Sequence, residues 1–191
     1  FGAIADKSQI FQVIMAINAG DEVIAEVAPA FVGQFGGKGN VDKLREAFKQ
    51  LGFSGMEEVA LGADLCTIQE SEDFLEEVPE KIPFMGTSCC PAWSVMAKKE
   101  FPKNADCISM ALTPMTLTAR LIRKQHPNAK IVFVGPCSAK KLEAMRESVR
   151  SEVDFVLTFE EMAGMMSAKE IDYTKLAGEG GDFDVASADG R

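Results

Sequence analysis

Short apolar runs alternate along the chain with longer segments of helical periodicity. Residues 23–27 are mostly apolar and are followed by Ala28-Pro29-Ala30, which predicts a buried strand that ends there. Residues 131–134 form the clearest strand, because this run is rich in β-branched side chains and stops at Gly135-Pro136-Cys137. Two further strands are predicted at residues 83–86 and 154–157.

Helices are predicted between these strands. Apolar residues at positions 41, 44, 48 and 51 lie on one helical face, and Gly52 follows as a C-terminal stop. Thr158 and Glu161 have the spacing of a capping box for a helix that runs through Met166. The other predicted helices cover residues 62–78, 91–101, 113–125 and 138–149, and residues 178–184 are predicted to form a loop. The alternation indicates an α/β fold, a mostly parallel sheet flanked by helices.

Composition narrows the class of protein. The chain has 191 residues, 47% of them apolar and 26% charged, which is typical of a globular domain that can bury a core without disulfides. Its 29 acidic and 20 basic side chains give a net charge of −9, which argues against binding nucleic acid. The apolar runs are all far shorter than the roughly 18 residues of a membrane span.

The cysteines narrow the possible metal chemistry. One histidine excludes a multi-histidine site within the chain, and the five cysteines contain no C-x-x-C pair, which excludes a zinc ribbon and a thioredoxin motif. The irregular cysteine spacing is no disulfide framework and favours a reducing compartment, so a cytoplasmic location is expected.

The first candidate site contains adjacent cysteines, Cys89 and Cys90, between a predicted strand and a helix that begins at Pro91. Ligands of open α/β sheets lie at the carboxyl ends of strands. One thiolate can bind a metal there while the other faces a cavity, and a helix N-terminus favours thiolates. The alternative interpretation, two buried cysteines that behave as small apolar residues, is about equally good for an arbitrary Cys-Cys pair.

The second candidate site follows the strand at residues 131–134. Cys137 ends that strand, and Lys140 lies three residues further on, where its ammonium can stabilise a thiolate or an anionic ligand. For this segment alone, a solvated pair formed by Lys140 and Lys141 is the better interpretation.

Together the two segments resemble a known family. Cys-Cys-Pro-x-Trp (89–93) and Pro-Cys-x-x-Lys-Lys-x-Glu (136–143) are similar to the first two signature motifs of the iron-iron hydrogenase catalytic domain. Ala28-Pro29, Leu51-Gly52-Phe53 and Gly62-Ala63-Asp64 also match that family, and residues 1–4 look like the segment that follows its ferredoxin domain. The resemblance implies that residues 1–191 are a partial catalytic domain, one lobe of the family's fold, without the upstream ferredoxin-like domain and the downstream third motif.

The family reduces protons reversibly to hydrogen at an H-cluster, a 4Fe-4S cubane joined to a two-iron subsite with carbonyl, cyanide and dithiolate ligands. The resemblance implies ferredoxin or another electron carrier, and hydrogenase maturation proteins, as partners. Cys90 and Cys137 match two cubane ligands, Cys89 matches the proton-transferring thiol and Ser109 the serine after it. Lys140 matches the lysine that binds an iron-bound cyanide. Residues matching the cofactor pocket are Ala28, Pro29, Ala30, Thr113, Pro114, Met115, Gly135 and Pro136, and Glu143 is expected to be structural.

Departures from the family affect the expected function. The chain lacks the third motif, a Cys-x-x-x-Cys pair that supplies the other two cubane ligands, and Cys66 and Cys107 are expected to pack in the core instead. We therefore expect an incomplete H-cluster, and no activity, in this chain alone. Positions 71 and 74, near which the family's proton-path glutamates would fall, are Ser and Phe, although Glu70, Glu72 and Asp73 lie beside them.

The cofactor pocket also departs from the better-known enzymes. Gly135 replaces Met, Met115 replaces Gln and Ala30 replaces Ser, which removes side chains from the pocket and suggests a divergent subgroup. Such a subgroup has altered catalytic bias or senses hydrogen. The other alternative is a non-catalytic iron-sulfur protein of the same fold that serves cluster assembly. The intact Cys89-Cys90 pair and Lys140 favour the enzyme, because a cubane alone needs neither a free thiol nor a cyanide anchor.

Overall fold

The computed structural model describes residues 7–36, 40–147 and 149–178. Its helices and strands alternate as the sequence predicts. In chain order they are α1 (Ile10–Ala19), β1 (Val23–Val27), α2 (Val41–Leu51), β2 (Gly55–Glu58), α3 (Val59–Glu77), α4 (Pro91–Glu100), α5 (Pro114–Gln125), β3 (Lys130–Gly135), α6 (Ala139–Met145), β4 (Phe155–Thr158) and α7 (Phe159–Ala168). Short 3-10 helices cover Pro29–Phe31, Pro102–Cys107 and Tyr173–Lys175.

The four strands form one sheet in the order β2-β1-β3-β4, and every pair is parallel. This confirms the predicted α/β class. Parallel strands need right-handed crossovers, so α2 covers one face of the sheet and α3, α5 and α6 cover the other. Helix α7 packs on β3 and β4 and against α2, on the first face. All four strands therefore end at the same edge, which we call the carboxyl edge.

The core lies on both sides of β1 and β3. Both strands are buried along their whole length apart from Lys130, as continuous apolar runs require in a parallel sheet. Gly62 lets α3 approach α5 closely, because a Cβ atom there would fall on Thr118 Oγ1 and 2.8 Å from the carbonyl oxygen of Pro114. The predicted capping box of α7 is present, with Thr158 and Glu161 bonded reciprocally.

Several predicted boundaries are wrong. Residues 83–86 are not a strand, since only Gly86 makes a bridge, to Ile108, and Phe84 is exposed. Helix α3 begins at Val59 rather than at residue 62, and α6 ends at Met145 rather than near residue 149. Both α1 and β2 were missed.

The two missed elements have weak patterns. Helix α1 has apolar side chains on its outer face as well, such as the exposed Phe11. Strand β2 has only four residues, and two of them are glutamates. The predicted loop at residues 178–184 lies outside the described residues beyond Gly178, and so do residues 1–4. Within the described ranges, every helix is too short or too polar to cross a membrane.

Candidate functional site at the carboxyl edge of the sheet

Three cysteines lie exposed at the carboxyl edge. Cys137 lies two residues after the end of β3, in the turn before α6. Cys90 caps α4, and its Sγ accepts a hydrogen bond from the amide of Trp93 at 3.4 Å. The Trp93 indole Nε1 donates to the carbonyl of Thr87 at 3.1 Å and so holds the segment that contains Cys89. The cysteines at 89 and 90 are thus accessible free thiols, and the interpretation as buried packing residues is wrong.

Lys140 joins the two cysteine segments. Its Nζ donates to the carbonyl oxygen of Cys89 at 2.8 Å and to Oε2 of Glu143 at 2.7 Å. The Lys140 side chain is only 13% exposed. Lys141 is likewise buried and binds both carboxylate oxygens of Glu161 at 3.0 Å. The solvated lysine pair is therefore the wrong interpretation, and the predicted convergence of the two segments is present.

Glu143 connects this lysine to a third segment. Its side chain is buried, and Oε1 accepts a hydrogen bond from the hydroxyl of Thr113. Thr113 also caps α5, since its hydroxyl accepts from the amide of Thr116 at 3.3 Å. One buried carboxylate thus ties the start of α5 to α6 through two donors.

The matched pocket residues lie around these segments with different exposure. Ala28 and Gly135 are neighbours at the ends of β1 and β3, and both are buried. Met115 is 1% exposed and belongs to the hydrophobic core. Among the other residues matched to the cofactor pocket, the half-buried ones are Pro29, Thr113 and Pro114, and the exposed ones are Ala30 and Pro136.

The space beside Gly135 is filled. A Cβ atom added to Gly135 would fall on the ring of Phe133, well inside van der Waals contact. The Lys140 ammonium lies 5.9 Å from the centre of the same ring. The glycine therefore does not leave this part of the pocket empty, because the Phe133 side chain occupies the volume that a residue at 135 would need.

Two cavities flank the Cys89 segment. One, of about 450 Å³, is lined by Thr87 together with Glu70, Ser71 and Phe74 of α3. The other, of about 240 Å³, is lined by residues that include Ser88, Ser109 and Glu143. The first cavity thus reaches Thr87, two residues before Cys89, and the second reaches Ser88, the residue directly before it.

Glu70 is one of the three acids that the sequence places beside positions 71 and 74, and it lines one of these cavities. It lines the same cavity as Ser71 and Phe74, the two positions singled out for lacking a carboxylate. An acid does lie on this side of Cys89, and the helical spacing of α3 was the signal that could have placed it. Ser109 is buried in the opposite cavity, and its hydroxyl accepts a hydrogen bond from the amide of Ala111 at 3.1 Å.

The remaining two cysteines are packing residues, as predicted. Cys66 and Cys107 are buried. The thiol of Cys66 donates to the carbonyl oxygen of Leu112 at 3.0 Å. Burial above all, with smaller contributions from the nearby Glu70 and Cys89 and a small opposing effect of Lys140, raises the pKa of Cys66 to about 11. Cys66 therefore stays a neutral thiol near neutral pH and is a poor metal ligand.

The donor set fits part of an iron-sulfur site. Thiolates are the ligands that iron-sulfur clusters require, and Cys90 and Cys137 present two of them beside a buried cation. Among the described residues, no group of three or more His, Cys, Asp or Glu side chains is placed to hold one metal ion. The described residues thus bring together fewer thiolates than the four that a cubane normally needs.

Comparisons with known proteins agree with this chemistry. The family model for the C-terminal domain of the iron-only hydrogenase large subunit matches residues 21–191. Iron hydrogenase 1 of Clostridium pasteurianum is 31% identical over 91% of this chain and 34% of its own length. A cytosolic Fe-S cluster assembly factor of Debaryomyces hansenii is 32% identical over 65% of this chain and 26% of its own length.

A solved structure shows the same fold. An apo [FeFe]-hydrogenase variant from Chlamydomonas reinhardtii matches with a TM-score of 0.76 and 24% identity, over 94% of this chain and 52% of that one. The chain spans about a third of the length of the hydrogenases it matches in sequence. The match to the family model covers most of the chain, and the chain therefore belongs to the iron-only hydrogenase large-subunit family.

Proposed function

We propose that this chain is part of the catalytic domain of an iron-iron hydrogenase, which reduces protons reversibly to hydrogen at an H-cluster. The observation that carries the proposal is the double contact of Lys140, which brings the Cys89-Cys90 segment against the turn that holds Cys137. This contact unites two cysteines suited to bind iron, a third thiol that stays free, and one buried cation.

Cys90 and Cys137 would hold a cubane from one side. Two further thiolates must come from outside residues 1–191, because Cys66 and Cys107 are buried. When bound, the H-cluster would supply the iron at which protons are reduced to hydrogen. The capping position of Cys90 fixes the direction of its Sγ, since that atom already accepts the Trp93 amide.

Cys89 would carry protons. Its thiol is exposed and sits next to a metal ligand in sequence, so it reaches the same space without being needed as a ligand. Thiols exchange protons near neutral pH because their ordinary pKa is about 8.5. Glu70 in one cavity and Ser109 in the other offer the next position on a path to the surface.

Lys140 would anchor an anionic ligand such as cyanide. An ammonium has three donors, and two of those of Lys140 are taken by Cys89 O and Glu143. The third donor has no partner among the described residues. A buried, held ammonium with one donor left forms a strong charge-assisted hydrogen bond to an anion.

The proposal also covers the proteins that would bind to this hydrogenase and the compartment in which it would work. Ferredoxin or another electron carrier would deliver electrons, and hydrogenase maturation proteins would supply the two-iron subsite. A cytoplasmic location follows from the free thiols, which a reducing compartment preserves.

Two other functions have specific support. The similarity to the Debaryomyces hansenii assembly factor favours a non-catalytic iron-sulfur protein. The Phe133 ring beside Gly135 changes the pocket next to the proposed subsite and favours a hydrogen sensor with slow turnover. The free thiol of Cys89 and the spare donor of Lys140 favour the enzyme over both.

The test uses the matured full-length parent protein. We expect infrared bands from iron-bound carbonyl and cyanide, together with hydrogen evolution from a reduced electron donor. A cubane without such bands would replace this proposal by the assembly function. Bands with hydrogen evolution near background would replace it by sensing.

A further inference from the structure

The cavity of about 240 Å³ beside Ser109 contains a cluster of positive charges. Four of its lining side chains are cationic, and they come from α4, from α5 and from residues just after α6. These cations are Lys98, Arg120, Arg146 and Arg150. Among the described lining residues the one acid is Glu143, whose oxygens are already bonded to Lys140 and Thr113. The cavity is therefore strongly positive in a chain whose net charge is −9.

The four cations have no carboxylate partner among the described residues. The ammonium of Lys98 donates to the sulfur of Met110 at 3.3 Å, and a thioether is only a weak acceptor. Arg120 donates from Nη2 to the carbonyl oxygen of Val149 at 3.3 Å, which uses one of the five N–H donors of its guanidinium. The cavity thus has more charged donors than its own walls accept.

Another arginine of α5 shows the contrasting arrangement. Arg123 is one helical turn further along than Arg120 and pairs with the carboxylates of Glu152 and Asp154. The fold therefore supplies acids to one arginine of this helix and leaves the other facing a cavity lined by further cations.

Serine hydroxyl groups add uncharged donors to the same cavity. Ser94 is buried in α4, and its hydroxyl makes no hydrogen bond with a described residue. The hydroxyl of Ser109 accepts the amide of Ala111 at 3.1 Å, so its own hydrogen is still available for donation. Cations combined with hydroxyl donors suit an oxyanion, whose oxygens accept several hydrogen bonds at once.

Arg150 has a backbone conformation that is uncommon for an arginine. Its φ of 48° lies in the left-handed region, which glycine and asparagine adopt more readily. The turn itself would therefore favour asparagine. What the arginine adds at this position is a positive charge in the lining of the cavity.

The size and charge of the cavity limit the ligand. Sites for drug-sized molecules usually enclose about 300–1,000 Å³, so a cavity of about 240 Å³ suits a smaller one. Four cations exceed the charge of a monovalent ion, and guanidinium groups bind the oxygens of phosphate in pairs. A small phosphate with two or more negative charges satisfies both conditions.

We propose that this cavity binds a small multivalent oxyanion of the phosphate class. The anion would lie between α4, α5 and the residues after α6, and its charged donors would be Lys98, Arg120, Arg146 and Arg150. Like charges around one space repel each other, and an anion between them removes that repulsion. The binding makes and breaks no covalent bond. It goes beyond the proposed function, because it requires neither iron nor a thiol.

The test is isothermal titration calorimetry of the full 191-residue chain with inorganic phosphate at constant ionic strength. We expect saturable binding of one phosphate per chain. Lys98→Met should weaken this binding by about tenfold or more, which is the usual effect of losing a charged hydrogen bond. The matched control is Lys99→Met. This neighbouring lysine lines a different cavity, so its loss should leave the phosphate affinity unchanged.

Arg150→Asn separates phosphate binding from folding. Without phosphate the variant should be at least as stable as the native chain, because asparagine tolerates the left-handed conformation. Its phosphate affinity should fall by about tenfold or more, and phosphate should raise its melting temperature less than that of the native chain. A general salting-out effect of phosphate would instead raise both melting temperatures equally.

Three results would overturn the proposal. They are the absence of saturable binding, an affinity that neither Lys98→Met nor Arg150→Asn changes, and tighter binding of citrate, a tricarboxylate, than of phosphate. The same titration is then carried out on the full-length parent protein, where we also expect binding. Its absence there would show that another part of the parent fills the cavity, and would likewise overturn the proposal.

The phosphate titration and the infrared test of the proposed function can fail separately. A parent protein without carbonyl and cyanide bands would disprove the hydrogenase proposal and leave phosphate binding standing. A parent with those bands that binds no phosphate would do the reverse.

Discussion

The two edges of the sheet are built in opposite ways. The amino edge is the edge at which the four strands begin. There, Arg123 at the end of α5 binds the carboxylates of Glu152 and Asp154 at 3.2 and 3.0 Å. Its remaining donors reach the carbonyl oxygens of Pro127, Ala129 and Glu152. Asp154 also accepts the amide of Ile131 at 2.9 Å, so side chains and backbone are joined where β3 and β4 begin.

At the carboxyl edge, by contrast, several polar groups have hydrogen-bonding atoms without a partner among the described residues. Three thiols are exposed there, and one donor of Lys140 has no partner among the described residues. The same holds for both carboxyl oxygens of Glu26, which is buried in β1 near this edge. Exposed groups without partners contribute little to stability and retain their reactivity, whereas a buried carboxyl group without partners lowers stability. The difference indicates that the amino edge holds the strands together and that the carboxyl edge is available for chemistry. Substitutions at the two edges should therefore affect different measurements.

The strongest test of this contrast is iron binding by residues 1–191 alone. In the proposed function, Cys90 and Cys137 at the carboxyl edge would be two cluster ligands, which is half of what a cubane requires. We expect reconstitution to leave less than one complete cubane, with no two-iron subsite, per chain. Iron and sulfide analysis with an absorption spectrum measures this, and a stable stoichiometric H-cluster in the chain alone would contradict it.

The next largest effect concerns the exposed thiol. Cys89→Ala in the matured parent should lower hydrogen evolution by about 10²- to 10⁴-fold, the usual contribution of a positioned proton carrier. The melting temperature should stay unchanged because the side chain is exposed. Cys107→Ala is the matched control, since it removes a buried thiol and should lower stability while turnover per folded molecule persists. Equal activity losses in both variants would refute the assignment.

At the amino edge, Arg123→Ala should lower the free energy of unfolding by about 2–4 kcal/mol. The substitution removes the closer of the two ion-pair partners of the mostly buried Asp154, leaves it only Lys130 at 3.4 Å among the described residues, and leaves several carbonyl groups without their donor. Arg45→Ala provides the control, because Arg45 is exposed and, within the part of the chain that the structure describes, pairs only with Asp42, so about 0.5 kcal/mol or less is expected. Denaturant unfolding of both variants measures the difference. Similar losses would mean that the amino edge has no special structural role.

Glu26→Gln should stabilise the protein, and increasingly so as the pH rises. The native state holds the Glu26 proton more tightly than the unfolded chain, because burial raises the pKa. Above the ordinary pKa, the unfolded chain loses this proton first, and native stability falls by about 1.4 kcal/mol per pH unit until the native acid also ionises.

The variant lacks this slope, which a comparison of urea unfolding at several pH values would reveal. Identical slopes in E26Q and the native chain would show that Glu26 is ionised in the fold. E57Q serves as the control, because Glu57 is the neighbour of Glu26 in β2 and is exposed.

The smallest expected effects compare two glycines. Gly135→Ala at the carboxyl edge should cost about 1–3 kcal/mol, because its Cβ atom would collide with the buried Phe133 ring. Gly164→Ala in α7 meets open space and should stabilise by about 0.5–1 kcal/mol through helix propensity. Melting temperatures of the two variants check both signs. A stabilising Gly135→Ala would show that the pocket beside Gly135 is open after all.

The sequence predicted the elements whose signals are local. The apolar runs identified β1 and β3, and the Gly52 stop placed the end of α2 correctly. The run at residues 83–86 was misread because its partner is a single bridge to Ile108, which lies outside the sheet. Apolar content alone cannot distinguish a strand from such a segment.

The sequence by itself determined that Cys89 and Cys90 lie side by side, because they are covalent neighbours. It also determined that Cys137 and Lys140 both lie close after the end of one strand. Only the tertiary structure decided that Lys140 meets the carbonyl of Cys89, since the two lie 51 positions apart. It also decided that Glu26 is isolated and Glu143 is fully bonded. Whether a carboxyl group has hydrogen-bond donors nearby depends on which side chains the fold packs around it, and this cannot be read from residue type and spacing.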